Sequence, residues 1–285
     1  MKKILLLIFA LSSTILYSQN DLDLKIDEGN DLFNNGDKKK ALKLWEDILR
    51  KASDTSATYG TTLRNILWYY IEDENEKNID LYYNKIINSK LNDKDKNLQI
   101  GEPYKNYRYH STMVLASYYA KKKNFSKALK YVNIADNKLT YETTSLTAVK
   151  FQKVDLAFWK NRLYNDLKKP DSASYVLIKR AFEYDYKDIY KNWATYSDSN
   201  DEKELAEEIL SNFNEKESLL SFGNEIKKAI ENLEYINQND KTIIKLTLRN
   251  MNYEISVHSL MTSKLNCKEY LENSYFYLFL KEKCK

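Results

Sequence analysis

The sequence predicts an all-α fold, a right-handed solenoid of helical hairpins. Two observations point there. Residues 25–48 read KIDEGNDLFNNGDKKKALKLWEDI and residues 112–135 read TMVLASYYAKKKNFSKALKYVNIA. Both run from an apolar helix with small residues, through a polar break, to K-A-L-K and an aromatic or β-branched residue. Five Gly and two Pro in 285 residues are too few for a turn-rich β fold. Paired-helix repeats of this kind build docking surfaces rather than catalytic centres.

The chain opens with MKKILLLIFALSSTILYS, read as a signal peptide over residues 1–18. Two lysines precede an uncharged apolar run, and Ser18 offers a small residue for cleavage near Ser18/Gln19. The run falls short of the ~20 apolar residues of a comfortable span, so no stable membrane span is expected after cleavage. An uncleaved anchor is the competing reading. No Cys lies near the cut, which argues against a lipoprotein. Losing Lys2 and Lys3 lowers the formal charge from +4 to +2, with signs interspersed. No nucleic-acid partner follows from such a balance.

In the first pair, Ile26, Gly29, Leu32 and Phe33 mark helix A at helical spacing. Asn34-Asn35-Gly36-Asp37 is the turn, and Ala41, Leu42, Trp45 and Ile48 stripe helix B. Ala41 is small where the two helices approach closely. Leu115, Ala116, Tyr119, Phe125, Ala128, Val132 and Ala135 repeat the pattern. A degenerate copy lies between: Leu63, Ile66, Leu67 and Tyr70, a turn over 72–78, then Ile79, Tyr83 and Ile86. A weaker fourth pair spans about 150–184, with Leu163, Tyr164 and Leu167 before a break at Lys169-Pro170, and Ala173, Leu177 and Ala181 after it.

These positions resemble the tetratricopeptide repeat, with Gly29, Leu32, Gly36, Ala41, Trp45 and Ile48 in its signature places. The resemblance covers residues 22–184 and is to exported bacterial repeat proteins. Steps of 38 and 49 residues between Gly29, Leu67 and Ala116 depart from the family's repeat of about 34. The longer step contains a loop marked by Gly101-Glu102-Pro103.

Residues 185–285 are expected to form a helical cap over the end of the array. Ser197-Asp198-Ser199-Asn200 is an N-cap region. Leu205, Ile209 and Phe213 stripe one helix, and Ile226, Ala229, Ile230 and Leu233 another, with Gly223-Asn224 between them. Residues 242–258 fit two periods. Ile244, Leu248, Met251 and Ile255 suit a helix; Ile244, Leu246, Leu248 and Tyr253, Ile255, Val257 alternate as in a β-hairpin. The helix is favoured, because Thr247-Leu248-Arg249-Asn250 repeats Thr62-Leu63-Arg64-Asn65 of a helix A. Cys267 and Cys284 are the only cysteines, and in an exported protein they are expected to form a disulfide, with a chain reversal at Glu272-Asn273-Ser274.

No catalytic constellation is present. His110 and His258 stand outside metal-ligand spacings, no Gly-rich phosphate loop exists, and paired carboxylates such as Glu207-Glu208 lie in polar runs. No enzyme activity, cofactor or metal is expected. In the pairs Tyr69-Tyr70, Tyr82-Tyr83 and Tyr118-Tyr119 successive side chains diverge by ~100°, so one of each pair is expected to pack and the other to reach the surface.

The resemblance implies ligand contacts from outward positions of the A helices. These are Ile26, Asn30, Phe33 and Asn34 in the first repeat, Asn65 and Tyr69 in the second, and His110, Met113, Ser117 and Lys121 in the third. One subfamily clamps a carboxylate with two Asn and several basic residues. Asn30 and Asn65 match the Asn, whereas Ile26, His110 and Val114 replace the bases, which argues against that clamp. The expected function is a periplasmic or secreted scaffold that binds a protein or peptide through a concave face. The alternatives are a structural component of a cell-envelope complex, or an enzyme with its activity in residues 200–285.

Overall fold

The structure is a computed structural model describing residues 21–95, 104–183, 200–213, 215–239, 241–257, 261 and 263–285. The expected signal peptide, the Gly101–Pro103 loop marker, Ser197–Ser199 and His258 lie outside the described residues. The described chain is mostly helical, with one small three-stranded antiparallel sheet. All-α is therefore corrected to helical with a sheet. Contacts divide it into two compact units, up to Thr144 and from Ser145.

The first unit holds α1 (residues 21–34), α2 (Lys38–Lys51), α3 (Ala57–Glu72), α4 (Glu76–Ile87), α5 (Tyr107–Lys121) and α6 (Phe125–Lys138). The second begins with α7 (Leu146–Asp166) and α8 (Pro170–Glu183). This pair is the fourth repeat of the sequence reading.

The four A–B turns share one backbone. Each has a left-handed residue: Gly36 (φ 91°), Glu74 (54°), Lys123 (56°) and Lys168 (58°). In each, the next amide reaches back five residues: Asp37 to the Leu32 carbonyl, Asn75 to Tyr70, Asn124 to Tyr119 and Lys169 to Tyr164. This bond closes a Schellman motif and satisfies a carbonyl at the end of helix A. Asn75 and Asn124 then cap the following helices, accepting from the Asn78 and Lys127 amides.

The stripes read from sequence are the core of the first unit. Ala41, Ile48, Leu63, Ile66, Ile79, Ile86, Leu115, Ala116, Ala128 and Val132 are fully buried. Burial of this kind is the main source of stability for short amphipathic helices. Gly29 is required by close approach, because a Cβ there would lie 2.3 Å from Trp45 Nε1. α3 packs on α2, α4 and α5, and α5 on α6. The insertion before α5 is tied down. Arg108 donates to the carbonyls of Ile87 (3.3 Å), Ser89 (2.6 Å) and Leu91 (3.1 Å) and to Asp93 Oδ2 (2.6 Å). Asn106 exchanges two bonds with the Glu142 backbone, at 2.7 and 2.9 Å.

The second unit continues with α9 (Asn200–Leu210), α10 (Lys216–Glu231), β1 (Glu234–Gln238), β2 (Lys241–Leu248), β3 (Met251–Val257), α11 (Lys264–Glu272) and α12 (Tyr275–Lys283). Three expectations are corrected here. Gly223-Asn224 lies inside α10; α9 ends at Leu210 and α10 begins at Lys216.

The helix favoured over 242–258 is not found in the described part of that span; residues 241–257 form the β2–β3 hairpin. It buries Ile244, Leu246, Leu248, Tyr253, Ile255 and Val257 on one face. A helix striped by Ile244, Leu248, Met251 and Ile255 would leave Leu246, Tyr253 and Val257 outside. Arg249 (φ 51°) and Asn250 (φ 61°) make the two-residue turn that matches strand twist. The Arg249 guanidinium lies 5.2 Å from both the Phe213 and Phe222 rings and bonds Glu225 at 2.8 Å.

Cys267 and Cys284 are both free thiols. The chain does reverse at Asn273-Ser274, but the reversal carries Cys284 to α10, where its Sγ lies 3.7 Å from the Leu219 carbonyl. Cys267 is buried in the core beneath the sheet.

Candidate partner-binding surface

The A helices of the first unit place the expected contact residues, and not all face outward. Ile26 is 5 % exposed and belongs to the core. Tyr69 is buried as well, edge-on to Tyr70 at 5.1 Å. The division of each Tyr pair into a packed and a surface residue is overturned: Tyr69, Tyr70, Tyr82, Tyr83, Tyr118 and Tyr119 are all buried. They form ring ladders. Tyr70 stacks on Tyr82 at 5.4 Å, and Tyr119 on Tyr131 at 5.6 Å with the rings parallel. Tyr83 meets Tyr131 edge-on at 5.3 Å, and its hydroxyl shares a 3.0 Å bond with Thr112 Oγ1. Aromatic pairs gain from both area and ring geometry, which outweighs the divergence of neighbouring side chains on a helix.

Asn30 and Asn65 are brought together. Asn65 Nδ2 donates to Asn30 Oδ1 at 2.8 Å, joining α1 to α3. Thr58 Oγ1 makes a parallel link to Asp23 Oδ1 at 2.7 Å. Phe33 is half-buried, 5.6 Å from the Trp45 ring, with Lys38 Nζ 5.3 Å from its centroid. Asn34 is exposed at the end of α1. A cleft of about 480 Å³ opens beside that end, lined by Gly36, Lys38, Lys39, Tyr69, Glu72 and Asp73, among others.

His110, Ser117 and Lys121 lie along α5 at helical spacing. His110 is half-buried, its ring edge-on to Tyr109 at 5.8 Å and Tyr141 at 6.2 Å. Ser117 is half-buried and Lys121 exposed.

The sequence reading missed Trp68. It is 46 % exposed on α3, one turn from Asn65, and its Nε1 donates to Glu72 Oε1 at 3.1 Å. The other oxygen of Glu72 accepts from Lys38 Nζ at 2.6 Å. The 65, 68, 72 spacing was the available signal, since it is one polar face of a helix. Ion pairs then run from turn to turn: Lys38 with Glu72, Lys122 with Glu74 at 2.5 Å and Lys127 with Glu76 at 3.1 Å.

Among the described residues no group of three or more His, Cys, Asp or Glu side chains is placed to hold a metal. No described helix is long and apolar enough to cross a membrane. No protein-family model matches the chain, and neither curated proteins nor solved structures yield a significant similarity.

Proposed function

We propose that the first unit is a non-catalytic scaffold of tetratricopeptide type, exported from the cytoplasm, that binds a protein or peptide along its A helices. The observation that carries this reading is Trp68. A large indole stands out from α3, and its tip is held by Glu72, which is itself held by Lys38. A pre-positioned aromatic loses little freedom on binding, and such residues supply most of the energy at protein interfaces. The four equivalent turns support the repeat assignment. Asn34, Ser117 and Lys121 offer hydrogen bonds beside the anchor, while Asn30 and Asn65 brace the face that carries it.

The test is photo-cross-linking of the full chain in its native envelope from position 34, compared with position 77 on α4. A discrete partner captured from 34 and lost when Trp68→Ala is added supports the reading. Equal capture from both positions, none from 34, or capture from 34 that survives Trp68→Ala refutes it.

A further inference from the structure

The geometry points to self-association of this chain through β1, pairing antiparallel with β1 of a second copy to extend two three-stranded sheets into one of six strands. The observations lie wholly in the second unit and do not depend on the binding role of the first.

Among the described residues β1 is an edge strand, since the sheet order is β1-β2-β3. Four of its five residues, Glu234, Ile236, Asn237 and Gln238, are exposed. An open edge is a template for another strand, and proteins that must stay apart protect it with Pro, Lys or a bulge. β1 contains no Pro and no Lys, and its register to β2 runs unbroken from Glu234↔Lys245 to Gln238↔Lys241.

The outward face tells which occupant fits. Residues 234, 236 and 238 share a face with 241, 243 and 245 of β2. At its centre Ile236 is 47 % exposed, paired with half-buried Ile243. A two-fold axis through Ile236 sets Ile236 against its own copy. The row then reads Ile243, Ile236, Ile236, Ile243 across four strands, and the exposed apolar patch is covered by an identical one.

The same axis sets Glu234 opposite Gln238 and Tyr235 opposite Asn237 of the second copy. Glu254 already faces Lys245 at 4.0 Å, and Lys245 pairs with Glu234. The two rows flanking the isoleucines therefore each run Glu254, Lys245, Glu234, Gln238, Lys241, with no like charges adjacent. A β1 shifted by two residues would place Ile236 against Glu234 or Gln238 and lose this match. The occupant is a second copy because the strand matches itself in shape at Ile236 and sets no like charges side by side.

Sedimentation equilibrium of the full-length chain tests the proposal. The expected result is a reversible dimer. Ile236→Lys is expected to give a monomer with an unchanged circular dichroism spectrum. Gln238→Glu separates association from folding. Within one chain it adds a favourable neighbour for Lys241, so thermal stability should hold. Across the axis it sets Glu against Glu234 twice, so the dimer dissociation constant should rise about tenfold. Ile236→Cys should form an intermolecular disulfide on oxidation, where the wild-type chain forms none. A chain that stays monomeric at every concentration overturns the proposal, and the edge would then be open to a strand of another protein. A dimer that survives Ile236→Lys overturns it equally.

Discussion

Asn65 donates to Asn30 across 2.8 Å, so two amides that could each address a partner address one another. Each keeps further capacity. The second Nδ2 hydrogen and Oδ1 of Asn65 remain, as does the Asn30 amino group. The pair therefore links neighbouring A helices first. Replacing Asn65 by Ala should cost about 1 kcal/mol of stability, the net worth of a part-buried hydrogen bond. A double-mutant cycle in urea with Asn30→Ala checks it. The second substitution should cost much less in the Asn65→Ala background than alone. Strict additivity would mean the bond contributes nothing.

The four A–B turns make a sharper test, because their backbones agree while their residues do not. Gly36 adopts positive φ without strain, whereas Glu74, Lys123 and Lys168 carry a Cβ in the same region. Lys123→Gly should raise stability by up to about 1 kcal/mol. Gly36→Ala should lower it by about 1 kcal/mol, although nothing lies within 4 Å of the added carbon. Chemical denaturation measures both. Opposite signs at equivalent positions would identify backbone strain as the cause.

Those turns also show what was legible in the sequence. Each stands where polar residues interrupt a 3.6-residue stripe, and the buried stripes of the hairpins were readable for the same reason. Period carries burial wherever a helix has one apolar face. The tetrapeptide T-L-R-N shows the limit. At 62–65 it is helical, behind the Ser56 cap, with the buried Thr62 hydroxyl donating to the Thr58 carbonyl at 2.7 Å. At 247–250 it ends a strand and makes a tight turn. Four residues do not decide between those states; the pattern of burial on either side does. Trp68 was missed for a related reason. Tyr69 and Trp68 differ by one step on a helix, and only packed neighbours reveal which one turns inward.

The tyrosine ladders predict an alkaline transition. Burial pushes the Tyr82 hydroxyl up to about 12 from an ordinary value of 10.0. Tyr70, Tyr83, Tyr107, Tyr119 and Tyr131 move in the same direction, each chiefly through burial. The unfolded chain therefore releases these protons at lower pH than the folded one. Their contribution is fully present below pH 10 and is lost as pH rises towards 12. Melting temperature should be insensitive to these groups up to pH 9 and then fall steeply. Tyr82→Phe should make the fall shallower, and absorbance at 295 nm should show tyrosinate appearing together with unfolding.

The thiols give the last prediction. Export, as proposed, would bring surroundings that favour a bridge between Cys267 and Cys284, but packing gives each sulfur a separate place. Cys267 is fully buried beneath the sheet, and Cys284 rests against α10, close enough that a Cβ at Gly223 would meet its Sγ at 2.9 Å. Burial raises both thiol pKa values, which lowers the thiolate fraction that reacts. Alkylation of the folded chain at neutral pH without reductant should therefore be slow. Cys284 should be labelled before Cys267, because only Cys284 retains access to solvent. Denaturant alone should then make both reactive, and mass spectrometry should find two alkyl groups per chain. A product two mass units below the free-thiol form, resistant to alkylation until reduced, would show that the C-terminal helices rearrange to close the bridge.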